Sequence, residues 1–388
     1  MKKTTRRGAL GLLGGAAAAT AIRSPAIAQQ AQTVKFVNVV ELSGAGVTSG
    51  TNWRDGIELA VRELNAAGGI LGRRIEVTHF DTASNPGQAR ALVTRAVDMD
   101  PYMLFGPVFS GSVMVAMQVA QEAKLPEFTG GEATSITAQR NPYIFRSSFS
   151  QVQAMPKVAK YLADDVHARS ISIVWVNNDF GKGGLDAIKA ECARRNIGVL
   201  AEVSTEQNQV DFSSAVLSAK NANADAMFVY LNEDESARIL REIRRQGYDK
   251  PIIGETVLPS QRVIELAGEA ANGIRGHVGL TVDAPVPAIQ DFGRRFQAAF
   301  GRIPDHNGVK GFVSVYVVNA VTKRLGRFDR EAFAQAMKNV RITTADEPGV
   351  LLNLSYDDKG DLDRDSFMVE VRGGRQVVVA TLPPIGRG

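Results

Sequence analysis

The 388-residue chain contains a single cysteine, Cys192, so it cannot form an internal disulfide. The fold must therefore be stabilised by its apolar core, even in an oxidising compartment. A catalytic thiol would need a histidine partner and an exposed, electropositive setting. Because Cys192 lies in a helix-like stretch, we favour the interpretation that it is a small, half-buried packing residue.

Motifs typical of enzymes are also missing. The four histidines are scattered, with no HExxH motif and no cysteine set to complete a zinc site: His79, His167, His277 and His306. No Gly-x-Ser-x-Gly elbow is present, and the glycine-containing segment 179–184 lacks the spacing of a phosphate-binding loop. We therefore expect no enzymatic activity, no cofactor and no metal.

The first 28 residues have the composition of a cleavable export signal. Four basic side chains at positions 2, 3, 6 and 7 precede a mainly apolar, small-residue run over 8–22. A small-x-small sequence at 26–28 predicts cleavage near Ala28 and export to the periplasm. The apolar run is too short for a stable membrane helix. The Thr-Arg-Arg triplet at 5–7 leaves both the twin-arginine and the ordinary secretory route open.

Acidic and basic residues are nearly balanced once this segment is removed. The full chain has 45 Lys and Arg residues against 41 Asp and Glu residues. Five of the basic residues lie in 1–28, so removing them leaves 40 against 41 and a net charge of −1. No cluster of basic and aromatic residues occurs elsewhere, and we therefore expect no nucleic-acid partner.

Apolar strands and helix-periodic segments alternate along the rest of the chain. A first series predicts strands at 34–40, 75–80, 102–106 and 125–129 and helices near 57–64, 87–98 and 111–123. A second series predicts strands at 171–176, 198–203, 226–231 and 251–254, helices near 152–167, 184–195, 211–222 and 234–246, and a loop at 177–181. The last third predicts helices at 288–300, 308–325 and 329–338 and strands at 351–356, 366–372 and 376–381.

This order indicates an α/β protein with two doubly wound parallel-sheet units in tandem. The length of about 360 residues after the leader also favours two domains. In such sheets ligands bind beyond the carboxyl ends of the strands, where two facing units would bring their loops together.

Several short blocks along the chain carry a resemblance to a known family. They are GIELAV at 56–61, LNAAGGILGR at 64–73, DTASNP at 81–86, GPVFSGS at 106–112, PYIFR at 142–146, DFGKG at 179–183 and DDKGD at 357–361. In this order and spacing they resemble the leucine/isoleucine/valine-binding proteins, which are type I periplasmic binding proteins. The resemblance covers essentially the whole chain after the leader.

The resemblance implies two lobes joined by three crossovers, with a ligand cleft between them. Lobe one would combine 33–150 with 280–345, and lobe two would combine 151–279 with 346–388. The cleft would close on a small ligand and present the closed form to the membrane permease of an ABC importer, and we expect the binding protein to be a monomer. Family members often carry a disulfide in lobe one, but Ser84 and Phe109 occupy the matching positions here.

Two strand-to-helix segments, 110–112 and 133–135, combine short hydroxyl side chains with a helix start. N–H groups at a helix start form an anion site, although such residues also serve simply as helix caps. From the residues alone, capping is the simpler interpretation. The resemblance implies that Ser110 and Thr134 hold a ligand carboxylate, with Glu132 and Ala133 as alternatives one residue away in the alignment.

An amino-acid ligand would also bring an ammonium group, which needs an acidic partner once water is excluded. Glu255 lies one residue from the position of a family glutamate with this role. Glu132 is a second candidate, because a carboxylate buried beside an anion site would otherwise be costly.

The residues that would line the rest of the cleft depart from the family pattern. Ser49 stands where an aromatic residue often covers the ligand, and Phe180 stands at a tyrosine position. Another tyrosine position corresponds to Asn232 or Glu233. Phe109, Phe180 and Trp53 could wall an apolar ligand group, although plain core packing is the simpler interpretation for Phe109 and Trp53.

The resulting functional hypothesis is capture of an amino acid of the branched-chain type for an ABC importer. An alternative keeps the scaffold but binds an aromatic or other organic acid, because the wall residues have changed. A second alternative is a sensory ligand-binding receptor.

Overall fold

The structure is a computed structural model that describes residues 33–386. The export signal predicted for 1–28 lies outside the described residues. Within the described part of the chain, no helix is long and apolar enough to cross a membrane.

Strands and helices alternate over most of the described chain. The strands are β1 (Thr33–Val40), β2 (Arg74–Asp81), β3 (Met103–Phe105), β4 (Glu127–Thr129), β5 (Ile144–Arg146), β6 (Ser170–Val176), β7 (Gly198–Thr205), β8 (Ala226–Tyr230), β9 (Ile252–Glu255), β10 (Arg275–Val278), β11 (Arg341–Ile342), β12 (Leu354–Tyr356), β13 (Leu362–Arg364), β14 (Ser366–Arg372) and β15 (Arg375–Leu382). The helices are α1 (Val47–Ala66), α2 (Pro86–Asp98), α3 (Ser110–Glu122), α4 (Ser135–Ala138), α5 (Gln151–Asp164), α6 (Asp179–Arg194), α7 (Ser213–Asn221), α8 (Glu233–Arg245), α9 (Gln261–Ala267), α10 (Pro287–Phe300), α11 (His306–Leu325) and α12 (Arg330–Met337).

The first sheet has the strand order β2-β1-β3-β4-β5, and all of its strand pairs are parallel. One face packs against α2 and α3 through Val37, Val39 and Leu104. The other face packs against α1, α11 and α12 through a core that includes Phe36 and Phe105. Burial on both faces explains why β1 is a nearly continuous apolar run.

The second sheet has the strand order β15-β14-β10-β9-β8-β6-β7. The strands from β10 to β7 are parallel, whereas β14 and β15 are antiparallel to their neighbours. One face packs against α7, α8 and α9, and the other packs against α5 and α6. The protein is thus an α/β fold of two doubly wound lobes, as the sequence predicts.

The chain crosses three times between the lobes, after β5, after β10 and between β13 and β14. Strands β11, β12 and β13 form a small third sheet before the last crossing. Leu354, Tyr356 and Leu362 of this sheet belong to the same core as the first-lobe strands. The sequence-based assignment placed the whole of 346–388 in lobe two, whereas the strands up to Arg364 form their own small sheet. The strand-like sequence of this segment gave no indication of which core it joins.

Helices α1 and α11 pack unusually closely, and glycine makes this approach sterically feasible. A Cβ on Gly56 would overlap the carbonyl oxygen of Gly308, and a Cβ on Gly311 would overlap that of Trp53. Backbone contact of this kind fixes the position of α11 along α1. It therefore fixes where the first turn of α11 meets the space between the lobes.

Helix α6 begins earlier than the sequence predicts. The side chain of Asn178 accepts the N–H of Gly181 at 2.9 Å and caps the helix, which starts at Asp179. The predicted loop at 177–181 is therefore wrong in its second half, and Phe180 lies in the first helical turn. A Cβ on Gly181 would overlap the carbonyl oxygen of Val176, so glycine marks a close approach here rather than a loop.

The lone cysteine packs in the core of the second lobe. Cys192 is fully buried among apolar side chains of α5, α6 and β6. Burial raises the pKa of its thiol to about 12, so the thiol stays protonated near neutral pH. The packing interpretation fits this position, although the residue is more buried than expected.

Candidate functional site

A cavity of about 410 Å³ lies between the two lobes. The segments that line it follow strands of both sheets, at their carboxyl ends, and the start of α11 completes the lining. Doubly wound folds bind ligands at this position. This volume lies in the range of a few hundred Å³ that is typical of small-ligand sites.

The start of helix α3 forms part of the first-lobe wall. Ser110, Gly111 and Ser112 line the cavity and make up the first turn of this 13-residue helix. N–H groups in a first turn have no acceptor within the helix. This turn therefore presents hydrogen-bond donors and the positive end of the helix dipole to the cavity, which favours an anion.

The buried side chain of Glu41 holds the chain that leads into α3. Its carboxylate accepts the N–H of Val108 at 3.0 Å and the N–H of Phe109 at 3.3 Å. Burial raises the pKa of Glu41, and these backbone hydrogen bonds oppose the rise. Glu41 thus uses the two N–H groups just before the helix, while the first-turn donors of α3 remain directed at the cavity.

The hydroxyl of Ser110 joins α3 to the loop after β4. Its oxygen accepts the N–H groups of Glu132 and Ala133, each at 3.2 Å. Both bonds use the oxygen as acceptor, so the hydroxyl hydrogen can still be donated to a ligand. Ser110 is the first residue of α3 rather than its N-cap, which is Phe109, so its hydroxyl holds the loop after β4 and borders the cavity instead of capping its own helix.

Glu132 lines the cavity and forms an ion pair with a lysine of α11. The Nζ of Lys310 lies 2.6 Å from Oε1 of Glu132, and each side chain is less than a tenth exposed. Burial raises the pKa of Glu132 to about 7, with Lys310 opposing the rise and the neighbouring carboxyl of Glu255 adding to it. Burial raises the pKa of both neighbouring carboxyl groups, which favours a proton on one of them.

Glu255 lies behind Glu132, outside the lining of the cavity. Its Oε1 accepts the hydroxyl of Thr256 and lies 3.0 Å from Nδ1 of His277. Burial raises the pKa of Glu255, and burial lowers the pKa of His277 to about 3. His277 is therefore neutral near neutral pH and offers Glu255 a hydrogen bond rather than a charge.

Aromatic rings form part of the second-lobe wall. The half-buried ring of Phe180 lines the cavity and stacks on Tyr230, with 4.2 Å between ring centroids and 21° between ring planes. Tyr230 is buried and accepts a hydrogen bond from Nε2 of Gln151 at 3.0 Å. The ring position predicted for Phe180 is thus supported from behind by a second ring.

Two polar contacts join the lobes across this site. The hydroxyl of Ser49 donates to Oε1 of Glu233 at 2.6 Å, and burial raises the pKa of Glu233. Gln151 accepts the N–H of Thr134 at 3.2 Å and donates to the carbonyl oxygen of Phe180 at 2.7 Å. Each contact connects a first-lobe element with a second-lobe element, so they stabilise an arrangement in which the lobes meet.

The structure brings most of the predicted site residues together. Those that line the cavity are Ser49, Phe109, Ser110, Glu132, Phe180 and Asn232. Three others do not line it, namely Thr134, Ala133 and Glu255. The N–H of Thr134 donates a hydrogen bond to Gln151. Ala133 is buried, and its carbonyl oxygen accepts a hydrogen bond from Arg146. Thr134 precedes α4, which has only four residues and forms no comparable helix start.

Sequence reasoning missed the contribution of α11 and of Gln151. His306, Asn307 and Lys310 all line the cavity from the first two turns of α11. A signal was present, since Lys310 is the one Lys, Arg, Asp or Glu residue between 306 and 322 in an otherwise apolar helix. A lone charge on a buried helix indicates a partner, here Glu132. Gln151 gave no such signal, because a glutamine at a helix start is usually solvated.

The comparison with known families agrees with this architecture. A family model described as periplasmic binding protein matches residues 33–376, which is most of the chain. The chain belongs to this family. Its relatives identify it further as a type I member of the leucine/isoleucine/valine-binding group.

One such relative is the Leu/Ile/Val-binding protein of Escherichia coli (strain K12), which is 26% identical over 341 residues, covering 87% of this chain and 90% of the relative. Two solved structures share the fold. A branched-chain amino acid transporter substrate-binding protein of Streptococcus pneumoniae in complex with isoleucine has a TM-score of 0.81 at 23% identity, covering 91% of this chain and 99% of the other. A solute-binding protein of an ABC transporter from R. palustris in complex with benzoate has a TM-score of 0.83 at 22% identity, covering 92% and 98%.

Proposed function

We propose that this protein is the extracytoplasmic substrate-binding component of an ABC importer and that it captures a small monocarboxylate between its lobes without chemical change. The observation that carries the proposal is the open first turn of α3, Ser110 to Ser112, which faces a cavity between two lobes. A carboxylate suits this turn because its donors are neutral and already oriented by Glu41 and Ser110.

Capture by closure follows from the contacts between the lobes. The Ser49–Glu233 and Gln151–Thr134 hydrogen bonds form only when the lobes approach. A ligand held by α3 on one side and by Phe180 on the other would add to these contacts. The closed form would then be the form that the membrane permease recognises.

Two ligand classes agree with the family. The named relatives and structures bind branched-chain amino acids or benzoate. In this chain, the acids of the cleft favour an ammonium-bearing ligand, as Glu132, Glu233 and Glu255 are all at or near the cavity. The ion pair of Lys310 with Glu132 and the ring of Phe180 favour an aromatic or other organic acid instead.

A thermal-shift panel of matched acids and amides tests the proposal. Benzoate would be compared with benzamide, and 4-methylpentanoate with 4-methylpentanamide, with L-leucine as a further acid. An acid at 100 times its Kd should stabilise the protein by about 2.7 kcal/mol, whereas its amide should not. The proposal fails if no acid of the panel stabilises the protein, or if amides do so as well as acids.

A further inference from the structure

Lys310 places its side-chain nitrogen, paired with Glu132, beside the proposed carboxylate site. It lies in the second turn of α11, lines the cavity and is 5% exposed. Its position is fixed, because the glycine contacts between α1 and α11 leave the helix no room to rotate or slide. The Cα atom of Lys310 therefore cannot move away from the cleft without disturbing the helix pair.

Glu132 is the acid that an α-amino group would meet first. Its backbone N–H is bound to the hydroxyl of Ser110, so the loop that carries Glu132 touches the start of α3. In an α-amino acid, one carbon atom separates the ammonium group from the carboxylate. A carboxylate at the first turn of α3 would thus bring that ammonium into the neighbourhood of Glu132, where Lys310 is already bound.

The charges of this cluster are balanced without a ligand ammonium. Burial raises the pKa of both Glu132 and Glu255, which favours the neutral form of one of these neighbouring acids, and Lys310 is paired with Glu132. The two neighbouring histidines add no charge, because burial lowers the pKa of both His277 and His306. A second ammonium would have to displace the proton or approach Lys310, and like charges in a buried site repel strongly.

We propose that Lys310 occupies the place of a ligand ammonium and that the cleft consequently selects carboxylic acids that carry no α-amino group, such as 2-oxo acids and aromatic acids. This inference rests on the proposed carboxylate site at α3 and narrows its ligand class. Lys310 is then a specificity-determining residue. Two other acids line the cavity: Glu233 is engaged by Ser49, and Asp179 lies in the first turn of α6.

Titration calorimetry with matched ligands tests this inference on the unaltered protein. L-leucine and 4-methyl-2-oxopentanoate share a carbon skeleton and differ by the exchange of the ammonium for a carbonyl oxygen, and benzoate serves as an aromatic acid. The oxo acid or benzoate should bind at least about tenfold more tightly than L-leucine, a difference of about 1.4 kcal/mol. Tighter or equal binding of L-leucine overturns the inference but leaves the proposed function intact. Failure of all three to bind overturns both.

A pair of variants locates the selectivity at Lys310. In Lys310→Met the ammonium is lost while the length of the side chain is kept, so Glu132 becomes available to a ligand. The ratio of oxo-acid to leucine affinity should shift toward leucine by about tenfold. Lys310→Arg keeps the charge and should keep the preference of the unaltered protein. An unchanged ratio in Lys310→Met overturns the role of Lys310, and if that variant does not fold, the comparison on the unaltered protein still decides the ligand class.

Discussion

The two walls of the cleft are built on the same plan but present opposite chemistry. Each is made of segments that follow parallel strands and lead into helices. The first-lobe wall offers the open turn at the start of α3, whose donors are neutral backbone groups. The second-lobe wall offers the ring of Phe180 and the acidic start of α8, where Glu233, Asp234 and Glu235 occupy the first turn. One helix start is thus open to an anion, and the other is already occupied by acids of its own.

This difference shows that a helix start becomes a ligand site only when the sequence leaves it unoccupied. Acidic side chains in the first turn of α8 satisfy the helix dipole from within the chain. The first turn of α3 carries no acid of its own; Glu41 binds the N–H groups that precede the helix, and Asp179 of the second lobe lies opposite Gly111. The carboxylate of a ligand would supply to the start of α3 the negative charge that Glu233 and its neighbours supply to the start of α8.

The difference between the two helix starts is tested most directly by making the start of α3 acidic, like the start of α8. Gly111→Asp would place a carboxylate in the first turn of α3, opposite Asp179 of the second lobe. The added carboxylate and a ligand carboxylate about 4 Å away would repel each other by about 4 kcal/mol at an intermediate dielectric. The affinity for a carboxylate ligand should therefore fall roughly a hundredfold or more. Calorimetry with the tightest-binding acid of the panel measures the loss.

Gly111→Ala is the matched control for this change. A Cβ at this position would lie 3.5 Å from Oδ2 of Asp179, which is an ordinary contact. The alanine variant should bind within about threefold of the unaltered protein. Equal losses in the two variants would mean that space, rather than charge, explains the effect.

The second wall is tested by removing its ring. Phe180→Ala would take away the ring that stacks on Tyr230 and lines the cavity, and ligand affinity should fall by about 2 kcal/mol, or roughly 30-fold. Phe180→Tyr keeps the ring and should change the affinity by no more than about threefold. If the alanine variant bound as tightly as the unaltered protein, the ligand would not reach this wall.

The hydrogen bonds of Gln151, which connect the two walls, should contribute less to affinity than either wall. Gln151→Ala removes the side chain that connects Thr134 with Phe180 and Tyr230, and each lost hydrogen bond is worth about 1 kcal/mol. Affinity should fall roughly tenfold. Gln153→Ala weakens the capping box of the same helix and should lower thermal stability without a comparable loss of affinity. If Gln151→Ala instead lowered thermal stability without lowering the affinity measured by calorimetry, Gln151 would be assigned to folding rather than to closure of the lobes.

The buried acids near the cleft should also make stability depend on pH. Burial raises the pKa of Glu132 from 4.5 and of Asp305 from 3.8, each to about 7. An acid whose pKa is raised in the folded state stabilises the fold below its unfolded pKa, and this contribution is lost as pH rises through about 4 to 7. Each group should account for roughly 3 kcal/mol over this interval.

Two substitutions isolate this contribution in denaturant unfolding curves. Glu132→Gln and Asp305→Asn should each make stability fall less steeply between pH 4 and 7 than in the unaltered protein. Asn is itself a good helix cap, so Asp305→Asn should keep the hydrogen bonds to the N–H groups of Asn307 and Gly308. Parallel curves for the variants and the unaltered protein would contradict the assignment.

Much of the fold could be predicted from the sequence, because parallel strands are buried on both faces and read as apolar runs. Strands β1, β6 and β8 and helix α3 lie within one or two residues of their predicted bounds. The predictions failed where polar residues carry the structure. Helix α1 begins at Val47 rather than near residue 57, since its first turns hold Ser, Thr, Asn and Gly residues without apolar periodicity.

The site could be predicted only in part, for a similar reason. Ser110 could be found because a strand, a short hydroxyl residue and a helix follow one another in the sequence. The pairing of Glu132 with Lys310 joins residues 178 positions apart and depends on the close packing of α11 against α1. The lone charge of Lys310 in an apolar helix was a usable signal for a buried partner, but sequence does not say which acid that partner is.

A crystal structure with the tightest-binding acid of the panel tests the central claim most directly. The account predicts that the ligand carboxylate lies about 3 Å from the N–H groups of Ser110 to Ser112, with its apolar part against Phe180. A carboxylate bound elsewhere in the cleft, with no contact to the first turn of α3, would contradict it.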